Sequence, residues 1–275
     1  MILGQWHPSH NDEMNSKFLG NSLDLYKFSV ITHLIHGSKG LGLFYVPMTT
    51  EPLPKERNSK YTTYELGCGN KDLFKLMKKE FGKEFSEIGV LKKYLIGCGV
   101  HLSMLSIDDD SEMNDQSVYF CEDNRKQYFD LAIQHYKSLV NNTMVFVDPD
   151  VGCDVGITRR FRSNKQRYVK KSEVSKIFQC LRPGDFVGYF QHLGNSNYSI
   201  EARVKDLRES FGDWVLFIGY ARIQASLVLI FNDEATYMDK RKLIEEYYQQ
   251  YDHLKHKDKF IIRGKPLKTS GFRAL

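Results

Sequence analysis

The chain has 275 residues, of which 41% are hydrophobic and 27% are charged, and its formal net charge is +5 at pH 7. This composition excludes a globally disordered chain, because it supplies enough apolar side chains for a core. The mild positive charge permits nucleic-acid binding without requiring it, and no apolar run reaches the roughly 18 residues of a membrane-spanning helix. The N-terminal segment lacks the pattern of a secretory signal, so we expect a cytoplasmic protein. The five cysteines form no CxxC pair, so neither a zinc ribbon nor a disulfide framework is predicted.

Apolar residues at helical and strand spacing predict an alternation of helices and strands. The predicted elements are, in chain order, a helix near residues 22–36, a strand at 40–48, lysine-rich helices within 70–96, a helix at 124–139, a strand at 143–147, a helix at 172–181, a strand at 185–190, a helix near 200–207, strands at 214–220 and 226–231, and a helix at 238–251.

This order of elements predicts the fold class. We expect an α/β fold with a Rossmann-like, mostly parallel sheet, a C-terminal antiparallel hairpin and a helical insertion near residues 65–100. Residues 1–275 are expected to form a single α/β domain with a basic tail at residues 252–275. Sheets of this kind bind ligands outside the carboxyl ends of their strands, so the residues that follow the strands are the candidate site.

The sharpest motif follows the strongest predicted strand. The apolar segment at 143–147 runs directly into Asp148-Pro149-Asp150. Two carboxylates at a strand end can hold Mg²⁺ or Mn²⁺, because hard cations prefer oxygen ligands. The alternative is a structural turn, in which Asp and Pro are both common.

A histidine ends the next predicted strand. If that strand lies beside the one at 143–147, His192 would lie next to the acidic pair, where it could bind metal, act as a general base or contact phosphate. The alternative is a loop histidine that is satisfied by its neighbours.

A basic loop follows the acidic turn closely. It interleaves aromatic residues with seven cations and holds no acid, a pattern that favours nucleic-acid phosphates and stacked bases over a simple solvated loop. The candidate nucleic-acid-binding residues are Arg159, Arg160, Arg162, Lys165, Arg167, Lys170 and Lys171.

Asp24 and Lys27 lie three residues apart in the first predicted helix. This spacing places both side chains on one helix face. We interpret them as a local ion pair on the solvent side.

The motifs that are absent from the sequence argue against several common cofactor and active-site types. Neither a P-loop nor a GxSxG elbow nor an HExxH motif is present. The predicted strand that ends at Met48 is followed by Thr49-Thr50-Glu51-Pro52, without the glycines that let a backbone approach a nucleotide cofactor closely. Tight binding of S-adenosylmethionine is therefore not expected.

The segment Gly20-Asn21-Ser22-Leu23-Asp24-Leu25-Tyr26-Lys27 opens an apolar helix, and an apolar strand later ends at Asp148-Pro149. This layout, with the closing hairpin, resembles the J-type ribosomal-RNA adenine methyltransferases and related Rossmann-like methyltransferases over residues 20–235. The resemblance implies a methyltransferase-like fold with Asp148 at the catalytic position. The family carries Asp-Pro-Pro-Tyr where this chain has Asp148-Pro149-Asp150-Val151, and a glycine-rich cofactor loop that this chain lacks. The chain also resembles an uncharacterised group with an Asp-Pro-Asp segment after a central strand, which implies no function.

Three functions follow as hypotheses. The first is a metal-dependent phosphodiesterase or nuclease, in which Asp148 and Asp150 hold Mg²⁺ or Mn²⁺ and Glu173 is a candidate third ligand. In this hypothesis His192 orients the attacking water or neutralises the leaving oxygen, and the basic loop holds the nucleic-acid backbone. The alternative is a methyltransferase-like nucleic-acid-modifying protein, including a degenerate relative that binds without catalysing. The third is a non-enzymatic subunit that uses the basic loop and tail for assembly with a protein partner or with copies of itself.

Overall fold

The computed structural model describes most of the predicted helices and strands. It covers residues 22–48, 70–80, 88–105, 120, 122–149, 152–154, 168–192, 200–220, 225–250 and 259–263.

Seven helices and nine strands occur within these residues. The helices are α1 (Ser22–His36), α2 (Lys71–Glu80), α3 (Ile88–Gly97), α4 (Arg125–Ser138), α5 (Lys171–Gln179), α6 (Ile200–Phe211) and α7 (Glu234–Gln249). The strands are β1 (Gly42–Pro47), β2 (Leu102–Met104), β3 (Thr143–Asp148), β4 (Gly152–Asp154), β5 (Tyr168–Lys170), β6 (Phe186–His192), β7 (Val215–Tyr220), β8 (Ala225–Phe231) and β9 (Lys259–Arg263).

One seven-stranded sheet organises the described part of the chain, in the order β2-β1-β3-β6-β8-β7-β9. Strand β1 pairs in parallel with β2 and β3, and β3 pairs in parallel with β6. Strand β8 is antiparallel to β6 and β7, and β9 is antiparallel to β7. Five strands therefore run in one direction and two in the other. The α/β class, the mostly parallel sheet and the antiparallel β7–β8 hairpin are confirmed.

Helices cover both faces of this sheet, because the side chains of its strands alternate between two apolar clusters. One cluster joins the sheet to α1, α2, α3 and α7 and contains Tyr45 and Phe146. The other joins the sheet to α4, α5 and α6 and contains Phe44 and Val147. Burial on both faces explains why β1, β3 and β6 are continuous apolar runs in the sequence.

Helix α1 is buried on nearly all sides. Every residue from Asp24 to Thr32 is buried, and the helix packs against the sheet and α7. A helix that is apolar around its whole circumference belongs in a core. The two charged residues of its first two turns are therefore enclosed by protein.

Four short strands were not expected from the sequence. Strands β2, β4 and β5 have three residues each, which is too short for a recognisable alternation. Strand β9 lies within the predicted basic tail at 252–275 and pairs with β7, so that β9 forms one edge of the sheet. Helices α2 and α3 fall within the predicted insertion at 65–100 and connect β1 to β2. The division into one domain, an insertion and a tail stays a prediction.

Within the described residues, no helix combines the length and apolar character needed to cross a membrane.

Candidate functional site

Asp148 and His192 lie at the same edge of the sheet. Asp148 is the last residue of β3 and His192 the last of β6, and these strands are adjacent and parallel. Asp148 shares a face with Phe146, and His192 shares a face with Phe190, because side chains alternate along a strand. Both phenylalanines belong to the cluster under α1. The condition under which the sequence placed His192 beside Asp148, that these two strands are neighbours, is therefore met.

This edge contains the topological switch point of the sheet. From β1 the chain crosses to β2 on one side, whereas from β3 it crosses to β6 on the other side. Open α/β sheets bind ligands where the connections diverge in this way, outside the carboxyl ends of the two central strands. Asp148 ends one of those two strands and stands in register with Pro47, which ends the other.

The carboxylate of Asp148 is held by two side chains from the α1 side of the sheet. The Lys27 ammonium donates to both carboxylate oxygens at 2.8 Å. The Tyr45 hydroxyl donates to Oδ2, also at 2.8 Å. Helix α1 and strand β1 thus fix the orientation of the carboxylate at the strand end.

Lys27 also pairs with Asp24, at 2.7 Å between Nζ and Oδ1. The ion pair itself was expected, but its predicted place on the solvent side is wrong. The side chains of Asp24, Lys27 and Asp148 are each only 8% exposed. The spacing identified the pair, and the apolar run on all sides of it was the signal of its burial.

Electrostatics hold Lys27 in its charged form. Burial alone would lower the pKa of Lys27, but Asp148 and Asp24 outweigh it, so the pKa of the ammonium is raised above its ordinary value. The Nζ atom also lies 4.9 Å from the centre of the Phe190 ring, within cation–π distance. Burial, with a contribution from Asp148, raises the pKa of Tyr45 as well. The three charges of Asp24, Lys27 and Asp148 sum to −1.

Backbone groups at the ends of β1 and β3 form hydrogen bonds within the protein. The Met48 amide donates to the carbonyl oxygen of Asp148 at 3.2 Å. The Tyr128 hydroxyl, from α4, donates to the carbonyl oxygen of Pro47. These backbone groups at the switch point are therefore already bonded within the protein.

His192 is half-buried, and it is suited to act as a neutral imidazole. Burial lowers the pKa of His192, and the Arg203 cation lowers it further. A neutral ring nitrogen can accept a proton or bind a metal ion. The role of His192 as a water-orienting residue stays a prediction.

Gln191 precedes His192, and its side chain lies on the opposite face of β6, where it holds the small β4–β5 sheet. The Gln191 side chain accepts a hydrogen bond from the Cys153 amide at 3.0 Å. Gly152 has a φ of +131°, and a Cβ there would approach the Gln191 amide group to 2.5 Å. This close approach explains the glycine and fixes β4 just beyond the acidic turn.

The structure describes two of the seven cations of the predicted basic loop. Lys170 donates to Glu122 at 2.6 Å and Lys171 to Asp206 at 2.8 Å. Acids from other segments thus neutralise these two cations, although the loop contains no acid itself. The other five, Arg159, Arg160, Arg162, Lys165 and Arg167, lie outside the described residues, as does Asp150.

The acidic residue considered as a third metal ligand is engaged elsewhere. Both Glu173 oxygens accept from the Arg125 guanidinium, at 2.9 and 2.7 Å, and this pair is buried. Glu173 therefore ties α5 to α4. In the part of the chain that the structure describes, no group of three or more His, Cys, Asp or Glu side chains is placed to hold a metal ion.

Sequence reasoning did not identify Tyr45 or Lys27 as partners of Asp148. Both precede Asp148 by about a hundred residues, and only the pairing of β1 with β3 and the packing of α1 bring them together. A comparison with protein-family models finds no match to this chain, and a comparison with curated proteins finds none either.

Proposed function

We propose that this chain is a methyltransferase-like protein that binds nucleic acid and holds an exocyclic base amine at Asp148. The proposal is supported by the position of Asp148 at the switch point of the sheet and by the antiparallel β7–β8 hairpin that follows the parallel strands. A Rossmann-like layout of this kind places ligands at that edge.

The observation that carries the proposal is the way Asp148 is held. An ionised carboxylate has about four lone-pair sites, and Lys27 and Tyr45 occupy three of them. The remaining site is on Oδ1, which accepts from Lys27 alone among the contacts described. A fixed, charged acceptor with one open lone pair suits a donor N–H of a base amine. Burial of its surroundings strengthens such a charge-assisted hydrogen bond.

The end of β1 is poorly suited to bind S-adenosylmethionine, the methyl donor that a methyltransferase would use. At the end of β1, the Met48 amide and the Pro47 carbonyl are already bonded. The segment Thr49-Thr50-Glu51-Pro52, which directly follows Met48, also lacks glycines for close backbone approach. The proposed function of the site is therefore base binding without methyl transfer.

A metal-dependent phosphodiesterase is the second candidate, and His192 favours it. Its lowered pKa keeps the imidazole neutral near pH 7, as an acceptor of a water proton requires. The net charge of −1 at the Asp24–Lys27–Asp148 cluster would also attract a cation. Against this reading, Lys27 already supplies a cation to both Asp148 oxygens.

One set of measurements separates the two candidates. Fluorescent single-stranded and duplex oligonucleotides are titrated with the protein alone, with S-adenosylmethionine and with Mn²⁺, and the oligonucleotides are then examined for methylation and cleavage. We expect saturable binding without either addition and intact oligonucleotides. Cleavage that requires Mn²⁺ and is lost in both Asp148→Asn and His192→Ala would favour the phosphodiesterase. An absence of nucleic-acid binding would contradict both candidates.

A further inference from the structure

Helix α2 carries an unusual arrangement of exposed charge. Lys71, Lys75 and Lys79 follow one another at intervals of four residues, and all three are exposed. Residues four apart on a helix are neighbours on its surface, about 6 Å apart along the axis. The three ammonium groups therefore form one stripe along two turns of α2.

The stripe points away from the core. Leu73 is fully buried in the cluster under α1, and it lies two residues, or about 200°, from both Lys71 and Lys75 around the helix. Helix α3, which follows α2, adds the exposed Lys92 and Lys93. We call these five residues, Lys71, Lys75, Lys79, Lys92 and Lys93, the lysine surface.

Two other helices, α6 and α7, place an acidic residue beside an exposed lysine. On α6, Lys205 lies four residues before Glu209, and on α7, Lys242 lies four residues before Glu246, both as opposite-charge pairs. On α2 the same spacing joins lysine to lysine, which destabilises a helix. Among the residues that the structure describes, no acidic side chain forms an ion pair with a member of the lysine surface. Repulsion between lysines at this spacing would be relieved by a bound polyanion.

The lysine surface belongs to helices on the same face of the sheet as Lys27 of the candidate site. Helices α2 and α3 pack on the same face of the sheet as α1, which supplies Lys27 to Asp148. Asn70, at the start of α2, accepts a hydrogen bond from Tyr94 of α3 at 3.0 Å, so the two helices are joined directly. One ligand lying along this face could contact both the lysine stripe and the switch-point edge.

We propose that the lysine surface binds the sugar–phosphate backbone of nucleic acid. A nucleic-acid strand presents single negative charges at regular intervals, as the stripe presents single positive charges. Lysine contacts of this type fix the position of a strand without reading its sequence. The proposal rests on the proposed function for its partner, and it assigns the contact to residues other than the seven cations of the predicted basic loop.

The test compares charge-removing variants in oligonucleotide binding. The triple variant Lys71→Ala/Lys75→Ala/Lys79→Ala keeps helix propensity high. A control triple variant, Lys137→Ala/Lys205→Ala/Lys242→Ala, removes the same charge from exposed positions on α4, α6 and α7. Affinity for single-stranded and duplex RNA and DNA is measured from about 50 to 200 mM salt.

We expect the α2 variant to bind at least about tenfold more weakly at low salt and its log–log salt slope to fall by about 2 for single strands and about 3 for duplexes. The control should retain near-wild-type affinity and slope. The RNA and DNA arms, single-stranded and duplex, show which nucleic acid carries the phosphate that is recognised.

A single charge reversal separates binding from folding. In Lys75→Glu, the new carboxylate lies four residues from both Lys71 and Lys79, so we expect an unchanged or higher melting temperature together with weaker nucleic-acid binding. Equal losses of affinity in the two triple variants, or an unchanged affinity in the α2 variant, would contradict nucleic-acid binding at the lysine surface. Either result would leave the proposed function intact. Dependence on these lysines for acidic phospholipid vesicles but not for nucleic acid would also contradict nucleic-acid binding at this surface. Failure of the wild-type protein to bind any oligonucleotide would overturn the proposed function as well.

Discussion

At the scale of single residues, Lys27 determines what Asp148 can do. A buried carboxylate without a counter-ion is costly, and Lys27 contacts both oxygens of Asp148 and so supplies that counter-ion and fixes the orientation of the carboxylate. The same lysine serves Asp24, so removal of one ammonium group leaves two buried carboxylates without their cation. The site and the stability of the fold are thus linked through one side chain.

Replacement of Lys27 by methionine should therefore be strongly destabilising. We expect Lys27→Met to lower the free energy of unfolding at pH 7 by about 3–5 kcal/mol, because it breaks a buried ion pair on one side only. The matched control is Lys242→Met, whose exposed pair with Glu246 should contribute less than about 1 kcal/mol. Chemical denaturation of both variants measures the difference. Equal small losses would show that the Lys27 pairs do not stabilise the fold.

His192 should make stability depend on pH. The unfolded chain titrates this side chain near its ordinary pKa of 6.5, whereas burial and Arg203 lower the pKa in the folded protein. As pH falls from about 6.5 toward the folded-state pKa, the unfolded state binds a proton that the folded state does not, so stability decreases.

The variant His192→Asn should flatten this dependence. Burial lowers the pKa of His33 too, so the double variant with His33→Asn should be flatter still. Denaturation midpoints between pH 7.5 and 5, at constant ionic strength, test this expectation. A wild-type slope that survives in the double variant would assign the pH dependence to other groups.

At the scale of elements, the sequence predicted those parts of the fold that leave a periodic pattern. The apolar segment at 143–147 is buried on both faces as β3, and its predicted position at a strand end is why Asp148 could be selected. The hairpin of β7 and β8 was likewise recognisable from two strand-like runs with a short link. Strands β2, β4 and β5 could not be recognised, because three residues cannot show alternation and their pairing depends on tertiary contacts.

The sequence predicted two residues of the site, Asp148 and His192, but not their partners, because those partners are brought close only by tertiary contacts. Asp148 and His192 follow strands, and a topological rule brings strand ends together. Tyr45 and Lys27 lie inside elements, where each looks like an ordinary core or surface residue. The charged pair in α1 could have been recognised as buried, since apolar residues surround it on every side of the helix.

Glycine substitutions test the junction between β4 and β6. Gly152→Ala should destabilise the protein by about 1–3 kcal/mol, because φ is +131° and the new Cβ would meet the Gln191 side chain. Gly97→Ala, in α3, meets no atom within 4 Å and should be neutral or stabilising by up to about 1 kcal/mol. Thermal and chemical denaturation compare the two. A neutral Gly152→Ala would show that β4 does not pack against Gln191 in solution.

At the scale of the whole molecule, the contacts to Asp148 and the lysine surface lie on one face of the sheet. Helix α1 supplies Lys27 to Asp148 at the switch point, and α2 and α3 expose the lysine surface on the same side. The other face holds the Arg125–Glu173 pair and the small β4–β5 sheet, which serve the packing of α4 and α5. The Asp24–Lys27–Asp148 cluster and the Arg125–Glu173 pair thus lie on opposite sides of the sheet.

The central claim is that Asp148 accepts a hydrogen bond from a base amine, and base analogues test it directly. Two pairs of hairpin oligonucleotides are compared. In one pair the single unpaired base is adenine or purine, and in the other it is cytosine or the cytosine analogue that lacks the amine. The affinity of each hairpin is measured for wild type and for Asp148→Asn. A hydrogen bond to a charged acceptor is worth about 1.5–3 kcal/mol, so wild type should prefer the amine-bearing base of one pair by about tenfold or more. In Asp148→Asn the amide oxygen would face Lys27 and the amide nitrogen the ligand, so this preference should disappear. Equal wild-type affinity for both members of both pairs would contradict the claim.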